Sequence, residues 1–210
     1  MSVAPDAVIV DIYGCAQREG PTAAFTAAME VLRSDMVPSA QAWLRVHPAS
    51  SPWCAAAVDL FAQHVGGLVL PEVGSVEDVS LVADIAPGAP LLSLMPVFET
   101  FASLSYAMRV AEHPAVMRLG YSAELCPSAD PGGPLPRRAS AHWARSILPR
   151  FSVAAGLPAP VNGLTSVPQD ATAMMHDAVL ARSAGFGGQC VTTPELVPDV
   201  RALFRECAAD

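Results

Sequence analysis

Short apolar runs alternate with longer amphipathic stretches along the whole chain. The first run, residues 7–13 (AVIVDIY), is rich in β-branched side chains, and the stretch at 22–35 then places apolar residues at helical spacing. Runs of similar length recur at regular intervals, and each is bounded by turn residues. The predicted strands are residues 7–13, 42–47, 66–71, 90–97, 115–121, 159–164 and 187–192.

The stretches between these strands predict helices, at residues 22–35, 52–64, 76–85, 99–113, 137–156, 165–185 and 194–207. Pro52 suits a helix start, where a missing N–H costs nothing. Ser75 can cap the helix that follows it, with Asp78 as a capping-box partner, whereas Pro149 should end or kink its helix. Strands that are apolar on both sides indicate a parallel sheet covered by helices. The pattern predicts one α/β domain over residues 1–210, a TIM-barrel-like (β/α) repeat.

Composition narrows the class of protein further. Hydrophobic residues make up 52% of the 210 residues and charged residues 15%, which excludes a disordered chain. No apolar run reaches the roughly 18 residues of a membrane span. The first residues lack the basic segment of a signal peptide, so we expect a cytoplasmic protein without a membrane partner.

Charge and cysteine usage exclude several functions. The net charge is −8 with only 12 Lys and Arg residues, so nucleic acid is not an expected partner. The five cysteines are widely spaced and form no CxxC pair, which fits neither a disulfide framework nor a zinc site. An anionic substrate would have to be met by individual arginines, because the overall field opposes it.

Several segments resemble one family. LVLPEVGSVEDV at 68–79 is similar to "LPKVESAEDV" of the citrate lyase β-subunit-like proteins, within the HpcH/HpaI aldolase superfamily. AAGLPAPVNGLTSVPQD at 154–170 resembles "AAGLPAIDGVYTDVRD", and ARSAGFGGQCVTTPELVPDV at 181–200 resembles "ARALGFDGKCVIHPSQIPVV". VIVDIYGCA and WLRVHP resemble the strands "LDLEDAV" and "VRVN". The resemblance covers about residues 6 to 205.

The resemblance implies a (β/α)8 barrel that assembles as a homo-oligomer, a dimer, trimer or hexamer. The family cleaves or forms carbon–carbon bonds in acyl-CoA thioesters or 2-keto acids with the help of Mg²⁺. Its usual first strand would precede Met1, and its C-terminal lid has no counterpart here. An edge beside residues 7–13 would then need cover, for example from another subunit.

The same resemblance assigns catalytic candidates. Arg45 matches the arginine of "VRVN" and would clamp a substrate carboxylate or oxyanion, with a structural ion pair as the alternative. His47 replaces the family's Asn and should share a side with Arg45, either in the pocket or as a structural histidine. Asp11 matches the first Asp of "LDLEDAV". Tyr13 stands at the family's Glu, should share the face of Asp11, and is either a proton-transferring phenol or a packed aromatic.

Metal and cofactor contacts follow from the resemblance as well. Glu124 corresponds approximately to the second metal-binding Asp of "GSADL". The family's metal-binding Glu falls on Pro96 without a gap and on Glu99 in a shifted register, although Glu99 also suits the first turn of a helix. Arg137 and Arg138 follow a Pro/Gly-rich loop and would meet CoA phosphates, unless they are simply a solvated helix start.

Other family positions have changed in this chain. Glu72 replaces the Lys of "LPKV", Asn162 replaces the Asp of "AIDG", and Gln189 and Thr193 replace the Lys and His of "GKCVIHP". Each exchange removes a charge, reverses one or removes a titratable group.

Three functional hypotheses result. The first is a divergent carbon–carbon lyase or aldolase that acts on a small carboxylated substrate or an acyl-CoA thioester with Mg²⁺. The second is a non-catalytic relative that serves ligand binding or assembly with a paralogue. The third is a metal-independent enzyme that uses Tyr13, His47 and Arg45 as acid, base and clamp.

Overall fold

The structure is a computed structural model that describes residues 5–34, 38, 41–85, 92–122, 137–163 and 170–205. Seven strands lie in this part of the chain, and each contains residues from one of the seven predicted runs. Their bounds are β1 Val8–Asp11, β2 Ala42–Arg45, β3 Gly67–Leu70, β4 Ser93–Phe98, β5 Gly120–Tyr121, β6 Val161–Asn162 and β7 Gly188–Gln189.

Helices separate the strands in the described residues. They are α1 Ile12–Glu19, α2 Pro21–Arg33, α3 Pro52–Phe61, α4 Val76–Ile85, α5 Phe101–Leu104, α6 Ala107–Ala111, α7 Arg137–Ala154, α8 Ala171–Ser183 and α9 Val197–Arg205, which follows a 3-10 turn at Pro194–Leu196. No helix in these ranges has the length and apolar character needed to cross a membrane.

The seven strands form one parallel sheet in which each strand pairs with the next along the chain. This order is the one of a (β/α) barrel, whereas a doubly wound sheet reverses direction at a switch point. The TIM-barrel-like prediction is therefore confirmed. The register pairs Asp11 with Arg45 and Arg45 with Val69, so the carboxyl ends of β1, β2 and β3 lie side by side.

Local signals explain where several helices begin. The Ser51 hydroxyl accepts a hydrogen bond from the N–H of Trp53, and Pro52 follows at the first helical position of α3. Thr100 and Ser103 form a reciprocal capping box at α5. The Asp78 carboxylate accepts the N–H of Ser75 at 3.0 Å, as the sequence predicts for α4.

Two apolar layers cover the faces of the sheet. The larger one lies between the strands and the helices and includes Phe61, Leu68, Leu94 and Leu148, all fully buried. The smaller one lies on the opposite face, in the lumen. It consists of Val69, Met95 and Val97 with Ile9, Trp43, Val161 and Cys190 packed against them.

Gly67 on β3 makes room for the large Trp43 ring. A Cβ at this position would lie 2.5 Å from Cζ3 of Trp43 and 2.7 Å from the carbonyl oxygen of Ser93. Any side chain here would therefore collide with both an indole and a neighbouring strand.

The structure corrects four expectations. Residues 12 and 13 belong to the unpredicted helix α1, because Asp11 caps a helix there instead of continuing the strand. The stretch 99–113 contains two short helices, with a turn at residues 105–106 between them. Helix α7 continues through Pro149 to Ala154, so of the two expected effects of this proline, an end or a kink, the end is wrong. The three last strands have only two residues each, shorter than their apolar runs suggest.

Candidate active site

The carboxyl ends of β1, β2 and β4 bring three charged side chains together. Nη2 of Arg45 lies 2.9 Å from Oε1 of Glu99, and Nη1 of Arg45 lies 3.5 Å from Oδ2 of Asp11. Asp11 and Arg45 are the last residues of their strands, and Glu99 directly follows β4. They occupy the end of the sheet where barrels of this type hold their active sites.

Glu99 is the most deeply buried of these charges, with 1% of the residue exposed. Its Oε1 accepts a hydrogen bond from Arg45, and its Oε2 accepts the backbone N–H of Glu72 at 3.0 Å. Burial raises the pKa of Glu99 to about 7, against the opposite effects of Arg45 and of the Glu72 N–H. This carboxyl therefore changes protonation near neutral pH, as acid–base groups of enzymes do.

The ring of Tyr13 covers Arg45 from above. The guanidinium carbon lies 5.7 Å from the ring centroid, within the range of a cation–π contact. Arg45 itself is 4% exposed, so Asp11, Glu99 and this ring hold a buried cation in a fixed orientation. A guanidinium fixed in this way is suited to bind an oxygen that gains negative charge.

Tyr13 reaches the site from helix α1 and not from a strand. Oδ1 of Asp11 accepts a hydrogen bond from the backbone N–H of Gly14 at 2.8 Å. This cap allows helix α1 to begin at Ile12, one residue before Tyr13. Contrary to the prediction, Asp11 and Tyr13 therefore do not share the face of one strand, although both side chains contact Arg45. The phenol donates a hydrogen bond to Oε1 of Glu72. Burial, with that hydrogen bond and the charge of Glu72, raises the pKa of Tyr13 to about 12.

His47 lies beside the same ring. Its imidazole meets the ring of Tyr13 edge-on at 5.7 Å between centroids and packs against Phe25 at 6.2 Å. Burial lowers the pKa of His47, although the charge of Asp11 acts in the opposite direction. Its Nδ1 is buried and has no hydrogen-bond partner among the described residues. The lowered pKa favours the neutral imidazole, and its Nδ1 lies buried beside the aromatic rings that line the site.

Two residues of this region are missing from the candidates that the sequence provides. Glu72 contributes its backbone to Glu99 and its side chain to Tyr13, although its replacement of a lysine suggests only a lost charge. Cys190 packs against the lumen cluster close enough for the charges of Arg45 and Asp11 to affect its pKa, which burial raises to about 11. No sequence signal identifies either role, because both depend on the approach of distant strands.

Asn162 and Gln189 belong to a separate polar cluster. Nδ2 of Asn162 donates to Oδ2 of Asp177 at 2.6 Å and to Oε1 of Gln189 at 2.7 Å, and Arg145 pairs with the other oxygen of Asp177. Their neighbour Val161 packs in the lumen, so strand alternation directs Asn162 toward helices α7 and α8. These polar groups connect the sheet to its helices.

The remaining predicted contacts cannot be placed. Glu124 lies between 123 and 136, outside the described residues. Arg137 and Arg138 begin α7, but their side chains also lie outside the description. The metal-binding and CoA-binding roles of these residues stay predictions.

The chemistry of the described carboxylates does not fit Mg²⁺ by itself. The described part of the chain contains no group of three or more His, Cys, Asp or Glu placed to hold a metal ion. Both oxygens of Glu99 already accept hydrogen bonds, and one of them faces the positive charge of Arg45 at 2.9 Å. A dication at Glu99 would therefore have to compete with a guanidinium for the same oxygen.

Comparison with known proteins supports the fold. RipC from Yersinia pestis matches with a TM-score of 0.76 at 18% identity, over 95% of this chain and 88% of that chain. The citrate lyase β subunit of M. tuberculosis, complexed with oxaloacetate and magnesium, has a TM-score of 0.74 at 22% identity, over 95% and 87%.

CitE from Mycobacterium tuberculosis, in complex with magnesium, acetoacetate and coenzyme A, has a TM-score of 0.74 at 20% identity, over 95% of this chain and 73% of that chain. No protein-family model and no curated protein sequence matches this chain. The structural matches nonetheless agree with the motifs found in the sequence. The chain therefore has the fold of the citrate lyase β-subunit-like superfamily that its sequence resembles.

Proposed function

We propose that this chain is a carbon–carbon lyase that acts on a small carboxylated substrate or an acyl-CoA thioester at the mouth of the barrel. The observation that carries the proposal is the buried Arg45, held by Asp11 and Glu99 where β1, β2 and β4 end. Solved proteins of the same fold are named citrate lyase β subunits, and their complexes include oxaloacetate or acetoacetate with coenzyme A.

Cleavage of the carbon–carbon bond of a β-hydroxy thioester requires a base for the hydroxyl proton and a positive group for the enolate oxygen. A base removes the proton of the β-hydroxyl group, that oxygen forms a carbonyl, and the electrons of the broken carbon–carbon bond pass to an enolate. We assign the base to the imidazole of His47, since burial lowers its pKa and favours the neutral form. Arg45 faces the enolate oxygen, and the Tyr13 phenol gives its proton to the enolate carbon. The proton held by His47 then passes to the neighbouring phenolate and restores both groups.

Local charge favours a thioester over a substrate with a second carboxylate near Arg45. Asp11 and Glu99 both contact the Arg45 guanidinium, and the charge of Glu72 acts on Glu99, so a further negative charge would be repelled. The carbonyl of a thioester is neutral and acquires its charge only as the bond breaks. Arg137 and Arg138, at the start of α7, are our candidates to meet the CoA phosphates.

Mg²⁺ belongs to the proposal only as an additional component. Magnesium occurs in the complexes of the neighbouring structures, and Glu124 is the residue that we expect to add a ligand. The steps assigned to Arg45, His47 and Tyr13 do not depend on it. We also propose that the protein is a homo-oligomer, as the family resemblance implies, and that it is cytoplasmic.

A non-catalytic relative that binds a ligand is the second candidate. It is favoured by the two contacts of Arg45 with carboxylates, which would also suit a purely structural ion pair. Both candidates predict that the site binds a ligand. Only the lyase predicts turnover, so turnover distinguishes them.

The test is an assay of the purified protein with malyl-CoA, citramalyl-CoA and citryl-CoA, each in excess EDTA and with added Mg²⁺. We expect cleavage to a shorter acyl-CoA and a keto acid, and a loss of about 100-fold or more in kcat for H47N. H64N changes an exposed histidine outside the site and should match wild type. Turnover only with Mg²⁺ would contradict the metal-independent steps. Binding without turnover would favour the second candidate.

A further inference from the structure

Glu72 makes contacts in two directions at the end of β3. Its backbone N–H donates to Oε2 of Glu99 at 3.0 Å, and its own Oε1 accepts the hydroxyl of Tyr13. We propose that Glu72 is a positioning residue of this site, which orients Glu99 through its backbone and Tyr13 through its carboxylate. This inference rests on the proposed function, since it concerns the groups to which that function assigns chemistry.

The backbone of Glu72 supports this role. Its φ of +55° lies in the left-handed region, and it is the one residue other than glycine with a positive φ among those described. Glycine adopts this conformation freely, whereas a side chain makes it costly. Retained strain of this kind is expected where the surrounding contacts require it. Here the conformation accompanies an N–H that is directed at a buried carboxyl.

The side chain of Glu72 acts on the other half of the site. Its partner Tyr13 covers the guanidinium of Arg45 and touches the ring of His47. The hydroxyl–carboxylate bond therefore fixes a ring that bounds both of these groups. Glu72 is itself exposed, so the contact lies at the rim of the site, where a bound ligand would meet it.

The comparison with the resembled motifs gives a second observation on the hydrogen bond between Tyr13 and Glu72. The resembled motifs have Glu at the position of Tyr13 and Lys at the position of Glu72, and this chain differs at both. The structure shows that the two exchanged residues touch each other. Two departures that look like separate losses in the sequence thus meet in one hydrogen bond.

The experiment compares E72G, E72A and E72Q with wild type in two measurements that need no substrate. Glycine accepts the φ of Glu72, so E72G should melt about 2–4 °C above E72A, although both lack the carboxylate. Ultraviolet absorbance then follows ionisation of the three tyrosines. In E72G and E72A the pKa of Tyr13 should move from about 12 toward its ordinary value of 10.0. Y13F identifies the Tyr13 signal.

E72Q keeps an oxygen that can accept the phenol proton, so it should restore part of the hydrogen bond. E77Q removes the same charge from an exposed position of α4 that does not touch Tyr13, and it should titrate like wild type. Equal melting temperatures for E72G and E72A, or an unchanged tyrosine titration in E72G, would overturn the proposal. A failed cleavage assay would leave both measurements intact, so the two hypotheses fail separately.

Discussion

Glu99 combines nearly complete burial with a charge partner and a backbone donor. The free energy lost when the carboxylate leaves water exceeds the stabilisation that Arg45 and the Glu72 N–H provide. The pKa of Glu99 therefore rises to about 7. The same residue is therefore a source of pH sensitivity in both the site and the stability of the fold. This effect follows from desolvation and requires no metal.

The first prediction concerns pH and stability. Between the ordinary pKa of 4.5 and the folded value of about 7, folded Glu99 holds a proton that the unfolded chain has lost. The contribution of Glu99 to the free energy of unfolding is therefore intact below pH 4.5 and falls as the pH rises to 7, by on the order of 3 kcal/mol. Urea unfolding from pH 4.5 to 8 should show this loss in wild type but not in E99Q.

E19Q, which removes an exposed carboxyl at the end of α1, is the control for the Glu99 experiment. Its unfolding curves should keep the pH dependence of wild type. If the free energies of unfolding of wild type and E99Q changed with pH in the same way between pH 4.5 and 8, the raised pKa of Glu99 would be contradicted.

At the scale of single residues, the sequence identifies site candidates through motif matches and through a charge that interrupts an apolar strand, and their catalytic roles stay predictions. Arg45 and Asp11 stand out in this way, and the structure places them side by side. Glu99 was a weaker candidate, because the register of β4 could not be fixed from the sequence. Glu72 was missed as a participant, since neither its backbone conformation nor its neighbours across the mouth leave a local pattern.

Among the elements, α1 shows how one polar residue changes the path of the chain. The apolar run at 7–13 predicts a strand throughout, but Asp11 caps a helix that begins at Ile12. Asp11 therefore serves the helix with Oδ1 and the Arg45 ion pair with Oδ2. Capping competes with strand propensity here, and a periodicity of apolar residues does not reveal which one prevails.

The second prediction separates the two roles of Asp11. D11N keeps an oxygen for the cap but loses the charge opposite Arg45, whereas D11A loses both. The free energy of unfolding of D11A should therefore lie about 1 kcal/mol below that of D11N. Chemical denaturation of both variants measures the difference.

Asp170 provides the matched control, because it caps α8 in the same way and accepts the N–H of Ala173 at 3.0 Å. D170A should lose a similar amount relative to D170N. If D11A and D11N unfold at the same denaturant concentration while the Asp170 pair differs, the cap of α1 contributes nothing to stability.

For the whole molecule, alternation of strands and helices was enough to predict the order of the sheet. A helix that connects two parallel strands almost always does so with a right-handed crossover, and consecutive strands usually lie side by side. These two rules leave few topologies other than consecutive pairing. The lengths of β5, β6 and β7 were not predictable, since an apolar run shows what is buried but not how much of it forms hydrogen bonds with a neighbour. Val116, for example, forms only an isolated bridge with Leu94.

The third prediction concerns local stability across the sheet. Strands β2, β3 and β4 are almost wholly buried and pair over three or four residues, whereas β6 and β7 have two residues each and are partly exposed. Amide hydrogen exchange should therefore be at least about 10-fold slower at Leu68 and Leu94 than at Val161 and Gln189. Equal protection at these positions would show that the sheet opens as a single unit.

The apolar side chains in the lumen have a consequence for the passage of small molecules. Trp43 and Ile9 stand one layer below Arg45 toward the amino ends of the strands, and Val69 and Met95 stand beside it. These apolar side chains lie in the lumen below Arg45, so a polar compound would approach the guanidinium from the carboxyl ends of the strands, where Asp11, Glu99 and Tyr13 lie.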